Sequence, residues 1–249
     1  MIEGTAIVTG ASRGIGAATV RKLVAEGVRV HALARASEAL DALCAEAGAL
    51  PLVADLSDTA GLEAALRDIT PNILINNAGI ITSREPLHAM SRDDVDEMVS
   101  INVNAVMHTL RIILPGMIER GTGDVVLIGS IAGQHPFPGM SVYGATKSAI
   151  HSLAGGLRLD LHGTGVRVTE VAPGRVETQI ALRAMGGDRD ALRAALFAKT
   201  PSSQPDDIAD AVIAALAMPR RSNVTRVEVV PSRQTMGGAL FAEVEDGEG

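Results

Sequence analysis

The stretch Thr5-Ala-Ile-Val-Thr-Gly10-Ala-Ser-Arg-Gly14-Ile-Gly16 decides the fold. Residues 5–9 are apolar or β-branched, the composition of a strand buried on both faces. Glycines follow at 10, 14 and 16, and residues 17–26 then carry apolar side chains at helical spacing up to Gly27, a natural helix stop. Strand, glycine turn and helix make a cradle for phosphate. Glycine allows the tight turn and the close approach of backbone, and the helix start offers free N–H groups at the positive end of its dipole. The spacing is G-x-x-x-G-x-G rather than the commoner G-x-G-x-x-G.

The same alternation continues outward. Strand-like runs recur at residues 28–34, 50–54, 72–76, 125–129, 166–171 and 226–230. Helical patterns lie between them: 38–47 closed by Gly48, a long pattern from the N-cap Ser91 towards Glu119, residues 143–162, and 205–217. Pro115 and Gly116 are expected to bend or end the long one. No linker or composition break interrupts the series. It predicts one α/β domain over residues 1–249, a doubly wound parallel sheet with helices on both faces. Residues 179–200, rich in Ala and Arg around Gly186-Gly187, read as a mobile substrate lid. The acidic, glycine-containing tail 243–249 is expected to be disordered.

Chemistry-bearing residues fall at strand carboxyl ends, where such sheets bind ligands. After the second strand comes Ala34-Arg35, with no acid to hold a ribose 2′-hydroxyl. Arg35, with Arg13 from the glycine loop, suits a 2′-phosphate and so predicts NADP(H) over NAD(H). Asp55-Leu56 ends the third strand; Asp55 reads either as an acceptor for the adenine amino group or as a cap for the next helix. Asn76-Asn77-Ala78-Gly79 follows the fourth, with asparagines to tie neighbouring loops and small residues to leave room for a ribose. Asn102 sits inside a helical pattern, where asparagine is unfavourable.

Tyr143-Gly-Ala-Thr-Lys147 holds the one tyrosine of the chain, with a lysine one helical turn on. At that spacing the two side chains share a face, about 5–6 Å apart at Cβ. The ammonium is expected to lower the phenol pKa towards neutrality, making a proton donor and acceptor for an alcohol or carbonyl oxygen. Ser130, at the end of the fifth strand, adds a hydroxyl donor. His135 lies in the loop between them but is not needed as a base.

Composition narrows the alternatives. The chain is 47% hydrophobic and 20% charged, enough for a sizeable core, while aromatics are only 2%. A net charge of −7 without a basic patch argues against nucleic acid. The single cysteine, Cys44, allows no intramolecular disulfide and no cysteine-based metal cluster. No apolar run approaches 18 residues and the N-terminus has no signal-peptide pattern, so the expected compartment is the cytoplasm, with no membrane partner.

Together Thr9-Gly10-x-x-x-Gly14-x-Gly16, Asn76-Asn77-Ala78-Gly79, Ser130, Tyr143-x-x-x-Lys147 and Pro173-Gly174 resemble the short-chain dehydrogenases/reductases, over roughly residues 3–231. The resemblance implies a seven-stranded Rossmann sheet of order 3-2-1-4-5-6-7 and a homotetramer or dimer. It implies Tyr143 as general acid/base, Lys147 lowering its pKa and holding the nicotinamide ribose, Ser130 on the substrate oxygen, and Asn102 holding a relay water. Its cofactor positions fall on Gly10, Ser12, Arg13, Gly14, Ile15, Gly16, Arg35, Asp55, Leu56, Asn77, Ala78, Gly79, Tyr143, Lys147, Pro173, Gly174, Val176 and Thr178. No metal is implied. Where many relatives end in Asp-Gly-Gly, this chain reads Pro231-Ser-Arg-Gln234. That ending is similar to the NADP-dependent subgroup acting on serine, 3-hydroxy acids or small carbonyl compounds. The alternatives are a 3-oxoacyl-thioester ketoreductase, with Arg175, Arg183 and Arg193 meeting an acidic carrier protein, and a silent dinucleotide sensor. Pocket walls are expected from residues 81–88, 134–140 and 179–199, and their few aromatics suggest a small or aliphatic substrate.

Overall fold

A computed structural model of the chain describes residues 2–198 and 202–234. Seven parallel strands form one sheet in the order 3-2-1-4-5-6-7, as expected. They are β1 (Thr5–Thr9), β2 (Arg29–Ala34), β3 (Leu50–Val53), β4 (Ile73–Asn76), β5 (Gly123–Ile128), β6 (Val166–Pro173) and β7 (Arg226–Val229). The helices are α1 (Gly14–Ala25), α2 (Glu38–Ala47), α3 (Thr59–Leu66), α4 (Arg92–Val99), α5 (Ala105–Glu119), α6 (Ser141–Asp160), α7 (Arg189–Leu196) and α8 (Pro205–Leu216).

Strand side chains alternate between two cores, as the two-residue period of a strand requires. Ala6, Val8, Val30, Ala32, Ile73, Ile75, Val126 and Ile128 face one side and pack with α1, α2 and α8. Ile7, Leu33, Leu74, Val125, Leu127 and Val168 face the other and pack with α3, α5 and α6. Both faces are apolar because both are covered. The strand order reverses between β1 and β4, which pair in register from Ala6↔Ile73 to Val8↔Ile75. The crevice at that switch point opens between the loops following the two strands, those of Gly10 and Asn77.

One feature differs from the sequence expectation. Pro115 neither ends nor splits its helix, and α5 runs through it to Glu119. A proline forfeits one backbone hydrogen bond, but buried Ile113 and Met117 on either side hold the run against the sheet. Instead the helix changes character earlier, in a π-turn at Ser100–Asn104, where the Ala105 N–H reaches back to the Ser100 carbonyl. The run Arg92–Glu119 has the length and mean hydropathy (1.2) of a membrane-crossing helix. Its burial of Val106, Leu110, Ile113 and Met117 in the core, and four acids in α4, account for it as a core helix. The stretch expected as a lid contains α7, in which Leu192 is buried. Residues 199–200 and the tail 243–249 lie outside the described residues.

Candidate active site

The ends of β1 and β4 are stitched together by Thr9 and the two asparagines. The Thr9 hydroxyl donates to Asn76 Oδ1 at 3.3 Å and accepts the N–H groups of Asn77 and Ala78, each at 3.0 Å. Asn77 Nδ2 donates back to the carbonyls of Thr9 (2.9 Å) and Gly10 (3.3 Å). Gly10 and Gly14 adopt φ of 64° and 55°, the left-handed region that favours glycine. A Cβ on Gly10 would lie 2.8 Å from Ala78 Cα, and one on Gly16 would run into the Gly10 carbonyl. Arg13, the N-cap of α1, makes no side-chain cap, so the first N–H groups of that helix face the crevice uncapped by it. This bare, glycine-lined helix start fits a pyrophosphate. Ser12, Ile15 and Gly79 are half-buried around it, and Arg13 and Arg35 are exposed at its edge.

Asp55 does not cap a helix; Asp58 caps α3 by accepting from Gly61 N. Asp55 accepts from Ser57 N (2.8 Å) and Ser57 Oγ (2.7 Å), and these bonds hold its carboxyl below the ordinary value. Leu56 is half-buried beside it against the second core.

The second half of the site is built on α6. Tyr143 and Lys147 are 8% and 3% exposed, and Asn102 is fully buried. Lys147 Nζ lies 5.9 Å from the Tyr143 ring centroid and donates to the Ile128 carbonyl at 2.8 Å. Asn102 Nδ2 donates to Thr146 Oγ1 at 3.2 Å, and that hydroxyl donates to the Tyr143 carbonyl at 2.7 Å. The π-turn is thereby tied to the turn of α6 that carries Tyr143. Ser130 Oγ accepts from Ala132 N at 3.1 Å and faces the Pro173 carbonyl at 3.5 Å.

The expectation that Lys147 draws Tyr143 towards neutrality is not met by this arrangement. Burial pushes the phenol up to about 12, and its hydrogen bond with Ser130 opposes only part of that. Burial also pushes Lys147 down to about 8, against the field of Glu170. Desolvation disfavours the charged form of each, and at this depth it is the largest influence on both. Glu170 is a buried carboxylate on β6, held by His151 Nδ1 at 2.7 Å and Arg226 Nε at 3.3 Å.

Ser130 and Tyr143 open onto a cavity of about 170 Å³. The three expected wall segments all contribute: Ile81 and Arg84 from the first, Phe137 and Met140 from the second, and Ile180, Ala181, Leu196 and Phe197 from the third. Gly174, Val176 and Thr178 line it from the segment after β6, where Pro173 is buried at the strand end. Thr178 also meets the glycine loop, its Cγ2 3.4 Å from where a Gly14 Cβ would stand. The few aromatics of the chain converge here. The chain has one tyrosine and three phenylalanines, and among the described residues every aromatic side chain, Phe137, Tyr143 and Phe197, lines this one cavity. Sequence reasoning missed Gln234 as a lining residue. Only the unusual ending Pro231-Ser-Arg-Gln234 hinted at it; its Oε1 accepts from Arg175 N at 2.9 Å. His135 does not line the cavity. Among the described residues no group of His, Cys, Asp or Glu is disposed to hold a metal.

Comparison with known proteins agrees with this geometry. An uncharacterised short-chain type dehydrogenase/reductase of Sinorhizobium fredii is 41% identical over 239 residues, 96% of each chain. The NADP-dependent 3-hydroxy acid dehydrogenase of Salmonella typhi is 38% identical over 242 residues, covering 93% of this chain and 96% of its own. The closed form of a serine dehydrogenase complexed with NADP+ superposes with a TM-score of 0.90 at 34% identity, over 96% of this chain and 99% of that one. The family model for short chain dehydrogenase matches residues 4–185, which takes in the glycine cradle, the paired asparagines, Ser130 and the Tyr143–Lys147 turn, and the chain belongs to that family.

Proposed function

We propose that the protein is an NADP(H)-dependent dehydrogenase that interconverts a small hydroxy acid of the 3-hydroxy acid or serine type and its carbonyl partner. The observation that carries this reading is the convergence of Ser130, Tyr143 and Thr178 on one cavity, with Thr178 also against the glycine cradle. The relatives named for NADP and for hydroxy-acid substrates support it.

Gly10 to Gly16 and the start of α1 hold the pyrophosphate, Asn77 to Gly79 flank the ribose, and Arg13 and Arg35 meet the 2′-phosphate. Asp55 and Leu56 bound the adenine, and Pro173 to Thr178 the nicotinamide end. Bound there, the nicotinamide supplies or accepts the hydride. Tyr143 handles the proton. With a pKa of about 12 its phenol is protonated at neutral pH, the form that gives a proton to a carbonyl oxygen. Ser130 Oγ donates to the same oxygen and stabilises the charge that grows on it. In the oxidative direction Tyr143 takes the alcohol proton, and the Lys147 ammonium stabilises the resulting phenolate. Asn102 holds the π-turn against α6 and a relay water beside Lys147. Residues 179–198 close the cavity against bulk water.

A carrier-protein substrate fits less well. Arg183 is exposed but paired with Glu97 and with Asp94 at 3.6 Å, and Arg175 faces the cavity, which leaves Arg193 as the exposed one of the three with no ion pair among the described residues. The apolar side chains exposed on α5 (Met107, Ile118) and α6 (Leu159) support assembly as a homo-oligomer.

The test is turnover of serine and short 3-hydroxy acids with NADP+ and with NAD+, repeated with Tyr143→Phe. NADP+-linked oxidation that falls about 10²–10⁴-fold in the variant is expected. Full activity in Tyr143→Phe would remove the tyrosine from the chemistry, and faster turnover of acyl thioesters would favour the carrier reading.

A further inference from the structure

One pair of side chains outside the cavity reaches both ends of the segment that carries Ser130. Glu170, on β6, is 1% exposed and lies under α6, where His151 Nδ1 meets its Oε2 at 2.7 Å. Arg226 Nε, at 3.3 Å, partners the same oxygen. The other oxygen, Oε1, is buried and accepts no hydrogen bond among the described residues. A Cβ on Gly129 would stand 2.5 Å from it, so the carboxylate packs against the backbone just before Ser130. Gly129 N donates to the Val171 carbonyl at 2.8 Å, which holds that backbone beside β6.

His151 reaches the other end. Its Nε2 lies 3.0 Å from Gln134 Nε2. An amide nitrogen only donates, so the ring nitrogen accepts, and the imidazole proton sits on Nδ1, where it is donated to Glu170. Between the two ends Ser130 opens the 3-10 turn Ile131–Gly133: its Oγ accepts from Ala132 N at 3.1 Å and its carbonyl from Gly133 N at 3.0 Å. The turn lies against α6. A Cβ on Gly133 would stand 2.7 Å from the Lys147 carbonyl, and Ser148 Oγ donates to the Gly133 carbonyl at 2.5 Å. Ser130 thus begins a turn pinned at Gly129, Gly133 and Gln134, and the outer two pins meet in one His–Glu hydrogen bond.

A role in folding alone would not call for these residue types. Apolar side chains would fill the space between β6 and α6 at less cost than a desolvated carboxylate with one oxygen left unbonded. Local rules of this kind are broken chiefly where function needs it.

We propose that His151 and Glu170 are positioning residues for Ser130: the pair fixes both flanks of the turn that Ser130 begins, and so holds its hydroxyl where it meets the substrate oxygen. The inference rests on the dehydrogenase reading for the role of that hydroxyl, but not for the clamp itself.

Two measurements separate the two ideas. Hydrogen exchange of the full-length protein, read by mass spectrometry, needs no turnover. In His151→Ala the peptide spanning residues 129–135 should exchange about tenfold faster or more, with β1 and β4 unchanged. Unchanged exchange in 129–135 overturns the clamp. Faster exchange throughout the chain would make the pair a general prop of the fold and overturns it too. The second measurement is kcat with NADP+ for whichever of serine and 3-hydroxybutyrate the native protein oxidises faster. His151→Ala is expected to lower kcat about 10–100-fold with little change in the KM for NADP+, and His151→Asn, whose amide still donates to Glu170, to recover part of the loss. In a Ser130→Ala background the same change should cost less than about twofold, because residues that act as a unit are not additive. An equal fall in both backgrounds overturns the assignment to Ser130. If neither acid is oxidised while 129–135 still loosens in the variant, the dehydrogenase reading fails and the clamp stands. Circular dichroism checks the fold of His151→Ala. Should that variant not fold, Gln134→Ala cuts the outer pin at an exposed position, and unchanged exchange of 129–135 there overturns the proposal.

Discussion

Asn102 and Ile80 exchange two hydrogen bonds. Asn102 Oδ1 accepts from Ile80 N at 2.8 Å, and Asn102 Nδ2 donates to Ile80 O at 3.0 Å. One fully buried amide thus stands in for a stretch of strand partner and fixes the loop that carries Ile81 and Arg84. The same amide reaches Thr146 one turn from Tyr143. The π-turn around Asn102 presents it there, consistent with the frequent use of such turns at functional sites.

Asn102→Ala should therefore harm both stability and activity. It leaves Ile80 N–H and C=O without their partner, at about 1–3 kcal/mol for each buried group left unsatisfied. Thermal unfolding should show a lower midpoint, and kcat should fall with it because the wall of the cavity loosens. A variant with native Tm and reduced kcat would restrict Asn102 to the proton relay. A variant with native values of both would refute the structural role assigned to it.

The buried pair on α6 makes a pH prediction whose sign can be worked out. Lys147 has its pKa lowered from 10.5 to about 8, so between those values the unfolded chain binds more protons than the native one. Its contribution raises stability as pH climbs through that window, the cost of burying the ammonium being fully present below about 8 and gone above 10.5. Tyr143 acts in the opposite sense, because its pKa is raised from 10.0 to about 12 and the unfolded chain loses the proton first. Stability should fall above pH 10. Glu170 opposes the shift of Lys147, so Glu170→Gln should lower the lysine pKa further and move the alkaline limb of kcat/KM to lower pH. An unmoved alkaline limb in that variant would mean that Glu170 is only a structural partner of His151 and Arg226.

Gly16→Ala gives a prediction that runs against helix propensity. In an ordinary helix the change from glycine to alanine stabilises by up to about 1 kcal/mol. Here the new Cβ meets the Gly10 carbonyl and stands 2.7 Å from Asn77 Nδ2, the donor that ties the β4 loop to β1. The expected result is loss of stability together with weaker NADPH binding, read by thermal unfolding and by fluorescence titration. A stabilised variant with native cofactor affinity would show that the cradle yields without cost.

Most of the fold was legible because it rests on local signals. Short apolar strand runs, helical runs and glycines at 10, 14, 27 and 48 can each be read within a dozen residues, and their alternation implies the parallel sheet. Ser130, Tyr143 and Lys147 were legible for the same reason, lying at a strand end and on one helical face. What stayed hidden depends on contacts between distant segments. Arg84 faces Arg175, Gln234 returns to Arg175, and Phe137 meets the cavity shared with Phe197. The pKa of Tyr143 was misjudged because spacing along a helix reports a neighbour but not its depth. The π-turn at Ser100–Asn104 left no mark beyond an asparagine where a helix disfavours one.

The proposed cofactor choice assigns the 2′-phosphate to Arg35, and its surroundings make the test clean. It follows β2 at an exposed position, preceded by buried Ala34 rather than by an acid. The neighbouring carboxylate, Asp55, is occupied by Ser57 N and Oγ; the Arg35 charge helps to lower its pKa, but the two make no direct ion pair among the described residues. The guanidinium is therefore available to a 2′-phosphate without first breaking an ion pair with Asp55. Arg35→Ala should weaken NADPH binding by about 10–100-fold, the loss of charge-assisted hydrogen bonds to a phosphate. NADH, which has a hydroxyl in that place, should change far less, so the preference narrows from one side. Fluorescence titration of both cofactors reads this directly. Equal weakening of NADPH and NADH would assign Arg35 to the loop rather than to the phosphate, and an unchanged NADPH affinity would pass the role to Arg13.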